Sequence, residues 1–140
     1  MDCIFCKIVN KEIPGHIIYE NEKVLAFLDI SQATKGHTLI IPKKHFRNVF
    51  DITPQEITPI FEVVPMLANA LKETFGAVGM NIENNNEAIA GQTVFHYHTH
   101  LIPRYGKKDG IEIRYANNMA DYPAPVLQGL KEQILQIMEK

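Results

Sequence analysis

The first third of the chain alternates short apolar runs with polar turns, a pattern typical of β-strands. Two runs rich in β-branched and aromatic residues, "HIIY" and "VLAFLDI", flank a polar turn at residues 20–23, which predicts a hairpin. A third run, "GHTLIIP", begins at Gly36 and ends at Pro42, which lacks the N–H that strand pairing needs. The pattern therefore predicts three strands in this part of the chain.

The spacing of apolar residues then changes to that of a helix. Thr53 can cap the helix, Pro54 suits its first position and Glu56 can complete a capping box. Gly76 is the expected end of the helix. The predicted apolar stripe consists of Ile57, Ile60, Phe61, Val64, Leu67, Ala68, Leu71 and Phe75.

Two more strands and a second helix complete the prediction. The strands are "VGMNIE" and "TVFHYHTHLIP", separated by the polar loop "NNNEAIAGQ", and helical spacing resumes from Pro125. Hairpins with few, segregated helices are typical of antiparallel α+β domains. We expect one domain over residues 1–140, with about five antiparallel strands, one long central helix and a C-terminal helix.

Composition narrows the range of partners and compartments. The formal net charge of −2 argues against sequence-independent binding of nucleic acid. No apolar run approaches the roughly 20 residues that cross a bilayer, and the first residues do not resemble a signal peptide. We therefore expect a cytoplasmic protein with no nucleic-acid or membrane partner, in which Cys3 and Cys6 stay reduced.

The segment "FHYHTHLIPRY" carries the candidate chemistry. Side chains alternate faces along a strand, so His96, His98 and His100 are predicted to share one face. Burying three neighbouring imidazoles without a function is unfavourable, because each needs a partner and each disfavours charging of the others. Two interpretations remain open: two of the histidines share a zinc ion, or one neutral imidazole attacks an electrophile with the help of its neighbours.

The loop before the histidines favours the nucleophile. Asn85, Gln92 and Thr93 offer neutral donors, and Gly91 allows backbone N–H groups to approach a ligand. Such groups stabilise the oxygens of a phosphoryl or acyl centre without a metal ion.

With these residues in place, the chain resembles the histidine triad family, and most closely its bacterial members near the histidine-triad nucleotide-binding proteins. The resemblance covers residues 3–104 and leaves residues 105–140 as a C-terminal region that often shapes specificity in the family. Thr99 departs from the pattern, which usually has an apolar residue there, but it faces away from the histidines. The matching segments are "IFCKIV", "EIPGHIIYE", "VLAFLDIS", "KGHTLIIPKKH" and "NNNEAIAGQTVFHYHTHLIPR".

The resemblance implies a nucleotide-binding hydrolase that cleaves nucleoside phosphoramidates or related adenylates at the α-phosphate. The implied catalytic residues are His98, His100 and His96. His98 is the implied nucleophile, and it would form a covalent nucleotidyl-histidine intermediate. Its second ring nitrogen is expected to donate to a backbone carbonyl within the row. His100 is implied to bond the phosphate or the leaving atom, and a histidine there, where related transferases have glutamine, favours hydrolysis.

The resemblance also implies how a purine nucleotide is bound. Asn85, Gln92 and Thr93 would hold the phosphate oxygens, and Asp29 would accept hydrogen bonds from the ribose hydroxyls. His37 has no implied role. The implied base pocket consists of Phe5, Ile8, Phe27 and Ile30.

The CxxC pair, Cys3 and Cys6, offers two ligands, and two ligands do not close a zinc tetrahedron. The similar bacterial proteins add the histidine of "IPKKH" and the first histidine of the triad. The implied site is Cys3, Cys6, His45 and His96, with one structural zinc per chain and no cofactor required for the chemistry. The resemblance further implies a homodimer.

Three alternatives stay open from the sequence. The chain could be a dinucleoside polyphosphate hydrolase, a nucleotide- or zinc-binding interaction module with little turnover, or a zinc hydrolase in which the metal activates water.

Overall fold

All five predicted strands are present and form one antiparallel sheet. The computed structural model describes residues 2–140, and its strands follow the order β1-β2-β3-β5-β4. Every neighbouring pair is antiparallel, which confirms the predicted α+β fold. The strands are β1 Ile17–Glu20, β2 Val24–Leu28, β3 Thr38–Pro42, β4 Gly79–Glu83 and β5 Thr99–Arg104.

The described residues contain three α-helices: α1 Ile4–Val9, α2 Pro54–Phe75 and α3 Ala124–Met138. Helix α2 begins and ends where the sequence predicted, and Gly76 ends it in the left-handed conformation with φ +73°. The predicted capping box does not form, because the Thr53 side chain makes no capping bond. Helix α1 was not predicted, since six residues are too few to establish a helical period.

The long helix α2 covers one face of the sheet. Its buried residues lie at positions 60, 63, 64, 67 and 71, a helical stripe that packs on Ile40, Tyr97 and Leu101. The predicted stripe was wrong at Phe61, which is 48% exposed, and it omitted Val63, which is buried. Successive side chains of a helix are rotated by about 100° around its axis. Ile60 is buried, so the next side chain, Phe61, points toward solvent.

The short helix α1 covers the opposite face. Phe5 and Ile8 pack there against Phe27, Leu39 and Ile41 from the sheet. This second layer places the N-terminal CxxC pair beside the histidine row.

The fifth strand starts six residues later than predicted. Its pairing with β3 ends at Ile40 and Thr99, and Pro42, two residues further along β3, has no N–H to continue the ladder. The preceding stretch is instead held by single bonds, such as the one from Tyr97 N to the Phe46 carbonyl at 2.7 Å. Side chains still alternate faces there: Tyr97 joins the α2 side and His98 the α1 side.

The unusual threonine in the triad segment has a clear packing role. Thr99 is fully buried on the α2 side, and its hydroxyl lies 3.2 Å from that of Tyr97, which is also buried. The two hydroxyls satisfy each other inside an apolar layer, so Thr99 fits the strand as expected.

The C-terminal helix was predicted correctly but adds nothing to the core, since none of its residues is buried. Within residues 2–140, no helix is both long enough and apolar enough to cross a membrane.

Substituting Ile40, which is fully buried beneath α2, tests where the core lies. We expect Ile40→Ala to lower the free energy of unfolding by about 3 kcal/mol, because it removes buried methyl groups and leaves a cavity. The matched control is Ile137→Ala on α3, where the side chain is 68% exposed and the expected change is within about 0.5 kcal/mol. Urea denaturation measures both, and equal losses would contradict this core assignment.

Candidate functional site

A cavity of about 610 Å³ opens between α1, the β2–β3 connection and the histidine row. It brings together side chains from widely separated parts of the chain, and several of them were expected at a nucleotide site. The predicted residues that line it are Phe5, Ile8, Phe27, Asp29, Ile30, Thr93, His98 and His100.

The proton of His98 is fixed by a backbone carbonyl. Its Nδ1 lies 2.8 Å from the carbonyl oxygen of His96, so Nδ1–H donates and Nε2 carries the lone pair. Within residues 2–140, every fully buried side-chain nitrogen or oxygen has a hydrogen-bond partner. The Nε2 atom of His98 makes no hydrogen bond, so it is not fully buried and opens onto the cavity that His98 lines. Burial lowers the pKa of His98, which keeps the imidazole neutral at pH 7.

Phe5 supports the same ring from the side. Its ring centroid lies 5.2 Å from that of His98, with the planes nearly perpendicular, and 5.4 Å from that of Phe27. Phe5 and Phe27 therefore form an apolar wall of the cavity and also limit the orientation of His98. Ile30, by contrast, is 89% exposed at the rim.

His37, to which the sequence assigned no role, orients His100. The Ala33 N–H donates to His37 Nδ1 at 3.1 Å, so His37 carries its proton on Nε2. That Nε2 lies 2.9 Å from Nδ1 of His100, which must accept, and the proton of His100 therefore sits on Nε2. No local sequence pattern identifies this pair, because 63 residues separate its members.

Burial also keeps the histidine pair uncharged. It lowers the pKa of His100 to about 4, and the neighbouring His98 and His37 disfavour the charged form further. Desolvation likewise lowers the pKa of His37. His98 and His100 are thus both neutral rings, and one presents a lone pair while the other presents an N–H.

Asp29 stands at the edge of the cavity beside this pair. One carboxylate oxygen accepts from the Ser31 N–H at 2.8 Å, and the other lies 3.6 Å from His37 Nε2. The carboxylate therefore retains acceptor capacity toward the cavity, which suits it to bind hydroxyl groups.

Of the three predicted phosphate ligands, only Thr93 lines the cavity. Gln92 is buried, and its amide donates to the carbonyls of Arg47 at 2.8 Å and Val94 at 3.1 Å. Asn85 donates to Glu83 at 2.8 Å and lines a separate depression beside β4. The side chains of Gln92 and Asn85 therefore support the loop in this structure.

Asn84 and Asn86, the neighbours of Asn85, also stabilise the backbone of the site. The Val49 N–H donates to Asn86 at 2.8 Å, Asn86 donates to Asn84 at 2.7 Å, and Asn84 donates to the His98 carbonyl at 3.0 Å. This chain of amides anchors the backbone of His98 where the sheet ladder has already ended. The sequence indicated only that the run was polar, and not where its donors point.

A second group of side chains lies on the far side of the histidine row. Cys3, Cys6, His45 and His96 place four candidate ligand atoms within 4.8 Å of one another. The two Nδ1 atoms are 3.2 Å apart, and three sulfur–nitrogen distances are 3.4–3.5 Å. A zinc tetrahedron with ordinary bond lengths has edges of roughly 3.3–3.8 Å, so these residues fit zinc.

Hydrogen bonding and charge support the same interpretation. His96 donates from Nε2 to the Pro42 carbonyl at 2.8 Å, which leaves the Nδ1 lone pair directed at the group. Burial lowers the pKa of His96 to about 4, and burial next to Cys3 raises the pKa of the Cys6 thiol to about 11. Without a cation, the Cys6 thiolate is disfavoured in this setting, whereas a bound metal ion would stabilise it.

Comparison with known proteins agrees with this geometry. A family model described as "HIT domain" matches residues 10–107. A Bacillus subtilis relative named "Protein hit" is 50% identical over 133 residues, which cover 95% of this chain and 92% of that one. The Saccharomyces cerevisiae protein named adenosine 5'-monophosphoramidase HNT1 is 39% identical, covering 86% of this chain and 73% of that one.

Solved structures extend the similarity to three dimensions. The crystal structure of a HIT family protein from Bacillus anthracis matches with a TM-score of 0.93 and 51% identity, covering 96% of each chain. The crystal structure of a Zn-bound histidine triad family protein from Mycobacterium smegmatis matches with a TM-score of 0.74 and 36% identity, covering 98% of each chain.

The low pKa of His100 predicts acid sensitivity of the fold. His100 takes up a proton near pH 6.5 in the unfolded chain and near pH 4 in the folded chain. Its contribution to the free energy of unfolding is therefore fully present above pH 6.5 and is lost as the pH falls toward 4. We expect the single group to account for up to roughly 3 kcal/mol of that loss. Urea titrations at several pH values should show a shallower decline for His100→Gln, because glutamine does not titrate. An unchanged slope would contradict this assignment, and His16→Gln on the exposed rim is the matched control.

Proposed function

The chain belongs to the HIT-domain family, and we propose that it is a nucleotide hydrolase that cleaves nucleoside phosphoramidates or related adenylates at the α-phosphorus. One observation carries the proposal: His98 is buried and neutral, has its proton fixed on Nδ1, and directs an available Nε2 lone pair into the cavity. A nucleophilic imidazole needs these properties at neutral pH. The similarity to an adenosine 5'-monophosphoramidase supports the choice of substrate class.

The proposed reaction has two balanced steps. First, the Nε2 lone pair of His98 forms a bond to the α-phosphorus, the bond from phosphorus to the leaving amine breaks, and the amine takes up a proton from solvent. Second, a water oxygen bonds to the same phosphorus and the water releases one proton to solvent, while the bond to His98 breaks, Nε2 regains its lone pair and the nucleoside monophosphate leaves. Splitting the transfer in this way replaces one difficult displacement by two easier ones.

His100 is placed to serve the leaving atom. Its Nδ1 accepts from His37, so its Nε2–H is the group that can donate toward the phosphate or the departing amine. Thr93 is the proposed hydroxyl donor to a phosphate oxygen, and Asn85 and Gln92 contribute by holding its loop.

The remaining cavity residues suit a nucleoside. The apolar side chains of Phe5, Ile8 and Phe27 offer a surface for the flat purine base, with Ile30 at the rim. The Asp29 carboxylate is the proposed acceptor for the ribose hydroxyls.

We further propose one structural zinc per chain, bound by Cys3, Cys6, His45 and His96. The donor distances, the orientation of His96 and the Zn-bound relative support this assignment. A bound zinc ion would cross-link the N-terminus to the end of β3 and to the histidine row. Four protein ligands close its tetrahedron, so the metal would hold no position for substrate.

Two wider properties belong to the same proposal. A cytoplasmic location would keep both thiols reduced for metal binding. The homodimer that the resemblance implies remains a prediction, and β4, an edge strand of the sheet, is where a second sheet could continue.

Replacing the proposed nucleophile tests the reaction directly. We expect His98→Ala to reduce kcat for adenosine phosphoramidate by at least about a thousandfold, because no other group supplies the attacking lone pair. Intact-mass analysis with a slow substrate should detect one nucleotidyl group on the parent protein and none on the variant. The control is His16→Ala at the exposed rim of the same cavity, which should retain most activity.

A comparison of substrates separates the proposal from its closest alternative. Faster hydrolysis of a dinucleoside polyphosphate than of the phosphoramidate would assign the other reaction. Tight nucleotide binding without product over several hours would identify an interaction module.

Metal removal tests the zinc site. We expect one zinc per chain by elemental analysis, and a chelator should lower Tm by about 10 °C, as expected for a metal at a thousandfold excess over its Kd. Cys3→Ala should already show the lower Tm and respond no further to the chelator. Turnover well below Tm should survive chelation within a few-fold. Immediate loss of activity at unchanged Tm would instead indicate a zinc hydrolase.

A further inference from the structure

Glu87 has a backbone conformation that residues with a side chain rarely adopt. Its φ is +77° and its ψ is 157°, a region populated almost only by glycine. The residue begins the short turn at Ala88–Ala90, inside the loop that leads to the histidine row. Such a conformation persists only where surrounding contacts impose it.

The contacts that impose it come from the Glu87 carboxylate. One oxygen accepts from Arg47 Nε at 3.0 Å and from the Asn48 amide at 2.7 Å, and the other accepts from Arg47 Nη2 at 2.7 Å. Three donors therefore hold one carboxylate. Hydrogen bonds from Arg47, followed by the one from Asn48, lower the pKa of Glu87 to about 2, so it remains ionised through the neutral range.

Arg47 is itself held in place from a second side. Its guanidinium carbon lies 4.3 Å from the ring centroid of Phe95, the residue before His96. An exposed ion pair usually contributes little to stability. Here the guanidinium bonds through two nitrogens and lies over an aromatic ring, so the interaction fixes geometry.

Gln92 connects the Arg47–Glu87 ion pair to the segment that leads into the histidine row. The amide oxygen of Gln92 accepts from the Glu87 N–H at 2.8 Å and from Asn48 at 3.1 Å. Its amide nitrogen donates to the carbonyls of Arg47 and Val94. The residues on both sides of Thr93 are thus tied to the loop that carries Arg47.

We propose that Glu87 is a positioning residue that accepts a strained backbone so that its carboxylate can fasten the loop carrying Thr93 to Arg47 and Asn48. The catalytic part of this inference rests on the proposed hydrolase function. The structural part does not, because it concerns only strain and anchoring.

Two substitutions at one position separate strain from anchoring. Glu87→Gly and Glu87→Ala both remove the carboxylate, but only glycine also removes the backbone strain. We therefore expect the glycine variant to melt about 3 °C or more above the alanine variant. Glu132→Ala on the exposed helix α3 controls for the loss of a surface charge.

The rate measurement uses the same variants well below their Tm. We expect kcat for adenosine phosphoramidate to fall about tenfold in Glu87→Gly and Glu87→Ala alike, with a smaller change in KM, because the loop is misplaced in both. Arg47→Ala should give a similar loss, and Arg47→Ala with Glu87→Ala should be no slower than either single variant. Activity that does not follow stability distinguishes positioning from a purely structural role.

Each outcome decides the inference. Wild-type kcat in Glu87→Gly, or additive losses in the double variant, would overturn the positioning role. A Tm of the glycine variant at or below that of the alanine variant would overturn the strain assignment. If the parent protein itself has no turnover, the hydrolase proposal fails, while the Tm comparison still tests strain and anchoring.

Discussion

Two hydrogen bonds to backbone carbonyls determine what the histidine row can do. His96 donates from Nε2 to Pro42, and His98 donates from Nδ1 to His96. The first bond directs a lone pair of His96 toward the cysteines, and the second directs a lone pair of His98 into the cavity. Because both donors are fixed by main-chain atoms, the two imidazoles present opposite ring nitrogens, one toward the cysteines and the other toward the cavity.

The end of the β-ladder makes this arrangement possible. The pairing of β4 with β5 ends at Glu83 and His100, so the carbonyls of His96 and His98, which point to the β4 side, have no ladder partner and become available to side chains. The carbonyl of His96 then accepts from His98, and that of His98 accepts from Asn84. A regular strand through this segment would have used those carbonyls for pairing, so the irregular backbone is part of the site.

Features that follow from the spacing of apolar residues could be predicted from the sequence. Features that depend on hydrogen bonds between residues far apart in the chain could not. Five strands, the long helix and the shared face of the histidines follow from apolar spacing, and the short helix α1 was too brief to be seen. Several residues that line the cavity, such as Phe5, Asp29 and His98, were anticipated. The positioning of His100 by His37 was not, nor was the inward-turned amide of Gln92, because side-chain hydrogen bonds across 40 or more residues leave no local pattern.

The two clusters of potential metal ligands differ in a way that geometry resolves. Asp29, His37 and His100 lie as close together as the cysteine–histidine group. The ring nitrogens of His37 and His100 are 2.9 Å apart, a hydrogen-bond distance that is shorter than the roughly 3.3 Å between two nitrogens bound to one zinc ion. The Ala33 N–H also keeps a proton on His37 Nε2, which removes the lone pair that a metal would need. The first cluster therefore contains a hydrogen-bonded histidine pair, and the second is a set of lone-pair donors. The proposed metal site and the proposed phosphate site thus lie on opposite sides of one histidine row.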